Sequence, residues 1–189
     1  MPIVGAGWEM HVVRTADQTR LVEGETRRRT VGTYQVFHDG VAAGGLGGTI
    51  AEAKRPGDNT GAGDTHDRCV ESGRYELWTQ YGTKYRTLGY DHSADATTHP
   101  GIKPRPGFEL KGTGARGEIL VHPAQGFLWS VGCLHPSGAL PTGQSNIDFV
   151  DSRRRVVALI EDMKTFLGQA FPPHDGKRIP DAWIVIDET

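Results

Sequence analysis

Short stretches that alternate apolar and polar residues dominate the chain, and only one stretch carries helical periodicity. Residues 10–15 alternate loosely and predict a first strand. Residues 18–29 are polar and charged, which predicts a turn or an exposed hairpin, with Arg27, Arg28 and Arg29 as a solvated basic cluster. The run 30–38, Thr-Val-Gly-Thr-Tyr-Gln-Val-Phe-His, predicts a strand that ends at an Asp39-Gly40 turn. Residues 44–48 are glycine-rich but lack the Lys-Ser/Thr ending of a phosphate loop, so they read as a mobile turn before a short strand at 49–53.

Residues 55–65 are almost all turn formers and predict a surface loop. Within 69–79, Gly-Arg-Tyr-Glu-Leu-Trp-Thr predicts a strand. Residues 82–106 read as a long loop whose His92 and His99 are exposed. An apolar strand over 117–122 ends on His122, and 123–130 turns the chain. The helix is predicted over 148–168. Val150, Val157, Ile160, Met163, Phe166 and Leu167 form its apolar stripe, Asp151 or Ser152 its N-cap and Gly168 its C-cap. Ala-Trp-Ile-Val-Ile at 182–186 predicts a final buried strand.

This pattern predicts a β-rich α+β fold. A small, mainly antiparallel sheet or barrel-like sandwich is expected, with one long helix near the C-terminal end. The 189 residues suit a single domain over 1–189, its core at about 30–168. Twenty-six glycines and 11 prolines favour strands, turns and loops over a helix bundle. The net charge of −2 offers no broad basic field, so no nucleic-acid partner is expected. No apolar run approaches the length of a membrane-spanning helix, so no membrane partner is expected. Residues 1–10 do not read as a secretory signal, giving the expectation of a protein made in the cytoplasm without a signal peptide.

Candidate chemistry centres on the two cysteines. Neither lies in a Cys-x-x-Cys motif and no His-x-x-x-His spacing occurs, so no metal site and no cofactor are predicted. Cys69 reads as a structural cysteine. Cys133 follows His122 by eleven residues, across His-Pro-Ala-Gln-Gly-Phe-Leu-Trp-Ser-Val-Gly-Cys. A histidine at a strand end can take the proton of a thiol that lies across a turn. Gly132 leaves room for a carbonyl to approach the backbone, nearby N–H groups can stabilise an oxyanion, and Ser130 can orient the imidazole or bind substrate. Spacing alone leaves open the alternative of a buried cysteine acting as a small hydrophobe.

His122 followed by Ser130-x-Gly132-Cys133 resembles the active-site signature of L,D-transpeptidases of the YkuD type. The resemblance implies a Cys133 nucleophile and a His122 base, with Ser130 and Gly132 matching the Ser and Gly of the motif. It implies peptidoglycan stem peptides as substrates, attacked at the L-to-D junction. Val131 stands where that family has a second histidine, and Leu134-His135 follows where it has a polar or basic residue. The short His-to-Cys interval and the replaced histidine are more similar to lytic L,D-transpeptidase effectors delivered by type VI secretion. That variant implies export to the periplasm of a target cell, with a secretion apparatus and an immunity protein as partners. The order Gly32–Gly40, Ser72–Leu77, Ile119–His122, Gly132-Cys133 is also similar to a small phage and bacterial domain family, over roughly 30–168. Arg74, Tyr75 and Trp129 are the expected substrate-gripping residues. Two other readings fit the same scaffold: a non-catalytic interaction domain, and a cysteine peptidase or amidase with a non-peptidoglycan substrate.

Overall fold

The computed structural model describes residues 3–61 and 67–189. Met1, Pro2 and the 62–65 part of the predicted 55–65 loop lie outside the described residues. In chain order the strands are β1 (Trp8–Val22), β2 (Glu25–His38), β3 (Val41–Glu52), β4 (Gly73–Thr79), β5 (Tyr85–Arg86), β6 (Arg105–Pro106), β7 (Phe108–Lys111), β8 (Ile119–Val121), β9 (His135–Ser137) and β10 (Arg178–Glu188). The helices are a short α1 (Ala94–Thr98) and a long α2 (Phe149–Leu167).

Eight of these strands form one sheet in the order β8-β7-β4-β10-β1-β2-β3-β9. Its pairs are antiparallel except β1 with β10. The two ends of the sheet nearly meet. Leu134, just before β9, bridges to Val121 at the end of β8. Its N–H donates to the Leu120 carbonyl at 2.8 Å, and the His122 N–H donates to its carbonyl at 3.1 Å. The strand-rich, barrel-like single domain expected from the sequence is therefore the fold observed. Its core is wider than 30–168, because β1 and β10 lie in the middle of the sheet.

Strand alternation builds the interior. Trp8, Met10 and Val12 of β1 and Ala182, Ile184 and Ile186 of β10 share a buried cluster with Val156, Leu159, Ile160 and Met163 of α2. The indole N–H of Trp8 donates to Asp162 at 2.7 Å, tying the helix to the sheet. Asp148 caps α2 by accepting from the Asp151 N–H, and Gly168 ends it with φ 54°. The predicted caps Asp151 and Ser152 lie one turn further in. Ser152 is buried and bridges two segments, donating to the Pro136 carbonyl and accepting from the Ala124 N–H. The apolar stripe is rotated accordingly: Phe149, Val156 and Leu159 are inside and Val150 is exposed.

The structure refines three loop regions. The hairpin predicted within 18–29 is the far end of β1 and β2, closed at Glu23-Gly24 with positive φ at both residues. Arg27 and Arg28 are exposed, but Arg29 is buried, donating to the carbonyls of Phe127, Thr142 and Ser145. Residues 44–48 belong to β3 rather than a mobile turn. The small residues there let α2 come close: a Cβ on Gly48 would stand 2.5 Å from Arg155, which donates to the Gly47 carbonyl. The 82–106 stretch is mostly irregular but holds α1 and a two-strand ladder of β5 with β6. His92 and His99 are exposed, as expected.

Candidate active site

The seam that closes the barrel is where the candidate residues meet. β8 ends at Val121 and hands the chain to His122, while Leu134 docks beside it and holds Cys133 at the same level. A cleft of about 1010 Å³ opens over the seam, lined by Cys133, Ser130, His122, Trp129, Tyr85 and Arg105 among others. Cys133 is 9% exposed and makes no disulfide. Its sulfur accepts from the Leu120 N–H at 3.4 Å and donates to the Glu118 carbonyl at 3.7 Å. Among the described residues no hydrogen bond engages the N–H groups of Gly132 and Cys133.

The two histidines of the seam are fixed by backbone carbonyls. His122 Nδ1 lies 2.8 Å from the Pro123 carbonyl, and a carbonyl only accepts. The neutral ring therefore carries its proton on Nδ1 and leaves Nε2 as a proton acceptor. His135 Nδ1 faces the His122 carbonyl at 3.2 Å, and its Nε2 accepts from the Ser130 hydroxyl at 2.8 Å. The His122 ring packs edge-on to His135, centroids 4.6 Å apart, and against Tyr85 at 4.2 Å.

Burial decides the protonation states. It pushes the Cys133 thiol up, against the pull of the Leu120 N–H and the Arg116 charge. Burial holds His122 well below the usual imidazole value, with the neighbouring His135 and Arg105 adding to the effect. It lowers His135 to about 4. At neutral pH the resting site is a neutral thiol beside neutral imidazoles. No hydrogen bond joins His122 to Cys133 directly. Such a site can transfer the thiol proton during attack on a carbonyl rather than before it.

Four predicted site residues, Cys133, His122, Ser130 and Gly132, lie together at the seam. Gly132 acts differently from the expectation. Its φ is 113°, and a Cβ there would stand 2.0 Å from an Arg116 nitrogen. The space without a side chain holds the Arg116 guanidinium, not an approaching carbonyl. That buried guanidinium donates to the carbonyls of Asp58, Arg68, Cys69 and Val131, tying residues 58, 68 and 69 to the cysteine turn. Among the substrate-gripping candidates, Trp129 lines the cleft. Arg74 and Tyr75 do not reach it. Alternation along β4 turns Tyr75 inward, where its hydroxyl donates to the Glu71 carbonyl at 2.6 Å. Arg74 faces outward, paired with Glu9 and stacked on Trp183.

Cys69 is fully buried and its thiol is pushed up to about 12, chiefly by burial, which fits the structural role expected of it. His135, Arg116, Arg105 and Tyr85 were not singled out from the sequence. His135, two residues beyond Cys133 on a strand, was the most visible of them; Arg105 and Tyr85 come from the long loop, where spacing carries no information. Among the described residues no group of His, Cys, Asp and Glu is arranged to hold a metal ion, and no helix is long and apolar enough to cross a membrane. Comparison with protein-family models, curated proteins and solved structures found no match.

Proposed function

We propose that the protein is a cysteine-dependent enzyme that acts on peptidoglycan stem peptides, of the L,D-transpeptidase or L,D-carboxypeptidase type. The observation that carries this reading is the seam itself. It brings Cys133 and a His122 ring with a bare Nε2 to one cleft, with the N–H groups of Gly132 and Cys133 unengaged by the described residues. The likeness of Ser130-x-Gly132-Cys133 to the transpeptidase signature supplies the substrate class. In this reaction Cys133 Sγ attacks the peptide carbonyl while its proton passes to His122 Nε2. The Gly132 and Cys133 N–H groups take the developing oxyanion. The tetrahedral adduct collapses, the C–N bond breaks, and His122 returns the proton to the leaving amine. The thioester is then released by water or by an acceptor amine. His135 keeps the Ser130 hydroxyl and the His122 carbonyl in register. Delivery to the periplasm of a target cell, with an immunity partner, extends this proposal from the same resemblance.

The test is incubation with purified muropeptides carrying tetrapeptide stems, followed by separation of the products. Wild-type protein is expected to give a cleaved or exchanged product. The Cys133→Ala variant is expected to give none. Identical chromatograms for the two proteins would reject the proposal.

A further inference from the structure

Among the described residues, three buried arginines have several donors taken up by the chain. Arg14 is paired through Nε and Nη2 with Glu52 and through Nη1 with Glu188. Arg29 and Arg116 are spread over backbone carbonyls. Arg153 and Arg105 each make one hydrogen bond to a backbone carbonyl, Arg153 to Asp91 at 2.6 Å, and of the two only Arg105 lines the cleft. It is 7% exposed, and its Nε donates to the Pro100 carbonyl at 2.6 Å. No carboxylate pairs with it among the described residues. A guanidinium has five N–H donors, and burying it without a counter-ion is costly.

The position of Arg105 suggests what completes it. The guanidinium lies over two aromatic rings of the cleft, 5.6 Å from the Tyr85 centroid and 5.2 Å from that of Trp129. The rings occupy its surroundings and hold its planar fork in one orientation. The Tyr85 ring that it overlies also packs against His122, which puts Arg105 near the reacting groups. Lys84 and Lys103 also line the cleft and are exposed, whereas Glu118 is the one acid of the lining among the described residues.

We infer that the cleft contains a carboxylate subsite, with Arg105 as its anchor and Lys84 and Lys103 at its mouth. Beyond its bonds to the Pro100 carbonyl and the Tyr85 hydroxyl, the guanidinium keeps N–H donors of the kind that recognise a carboxylate. The use of the subsite rests on the proposed reaction: it seats a free carboxylate of a peptide next to Cys133, so acyl donors that carry that group are preferred. Binding itself needs no chemistry at Cys133.

The experiment therefore uses the full chain with Cys133→Ala, and follows the Trp129 indole N–H resonance, assigned with Trp129→Phe. The probes are N-acetyl-D-alanine, its primary amide, and inorganic phosphate. The acid is expected to bind at least tenfold more tightly than the amide, and more tightly than phosphate. Arg105→Met removes the preference for acid over amide. Because Arg105 is buried, the exposed pair Lys84→Ala and Lys103→Ala supplies a second variant, expected to weaken acid binding about threefold. Equal binding of acid and amide, an unchanged preference in Arg105→Met, or tighter binding of phosphate would each overturn the subsite. Failure of the enzyme proposal looks different: muropeptides stay intact in wild-type protein while the acid still binds.

Discussion

At the scale of single residues, the site is defined by groups kept neutral. Burial pushes the Cys133 thiol up and holds His122 and His135 down, so the resting pair is thiol and imidazole rather than thiolate and imidazolium. The pH dependence of alkylation follows from this. Only the thiolate reacts, so the rate of carboxamidomethylation at Cys133 is expected to climb about tenfold per pH unit from neutrality to beyond pH 9. Cys69, fully buried and pushed up to about 12, stays unmodified in the folded protein. Peptide mapping after timed iodoacetamide treatment measures both. A rate at Cys133 that levels off below pH 7 would mean a preformed ion pair and would contradict the neutral resting state. The same residue scale explains what was legible. Cys133 and His122 stand out in the chain because a strand end and a glycine turn flank them. His135 and Arg105 do not, since their importance arises from a ring contact and an absent counter-ion that spacing cannot encode.

At the scale of elements, alternation and capping residues made most of the strands and the helix readable. The strand at 30–38, the turn at Asp39-Gly40, the strand ending at His122 and the 148–168 helix all appear close to their expected places. The misreadings share one cause, which is tertiary contact. Residues 44–48 look too glycine-rich for a strand, but β3 needs small residues where Arg155 of α2 crosses it. Arg29 looks solvated beside two other arginines, yet the 127–145 segment folds over it and offers carbonyls. Arg74 and Tyr75 sit in a conspicuous Gly-Arg-Tyr run, but their side chains are engaged elsewhere, Tyr75 with the Glu71 carbonyl and Arg74 with Glu9 and Trp183. Gly132 was singled out correctly for its missing side chain and given the wrong occupant. No local pattern indicates that Arg116, sixteen residues earlier, fills that space.

At the scale of the whole molecule, the closure of the barrel and the candidate site are one structure. The Leu134–Leu120 and His122–Leu134 hydrogen bonds join the two ends of the sheet at the seam where Cys133 and His122 line one cleft. Acid should therefore weaken fold and site together. His122 and His135 are held below the ordinary value of 6.5, His135 at about 4, so the unfolded chain binds protons that the folded chain refuses. Their contribution to stability is fully present above pH 6.5 and is lost as pH falls toward 4. His135 alone is expected to remove about 2 kcal/mol by pH 5, and His122 acts in the same direction. Urea unfolding at pH 7, 6 and 5 checks this. The midpoint should fall steadily, and the fall should shrink in His135→Gln; a midpoint that stays flat across the range would contradict the buried neutral pair. The most direct measurement concerns the bond on which the proposed function depends. Wild-type protein mixed with a tetrapeptide muropeptide and quenched in acid should gain the mass of the acyl fragment, mapped by peptide analysis to Cys133 and lost on treatment with hydroxylamine. Turnover of the substrate with no adduct at Cys133, and at an undiminished rate in Cys133→Ala, would contradict it.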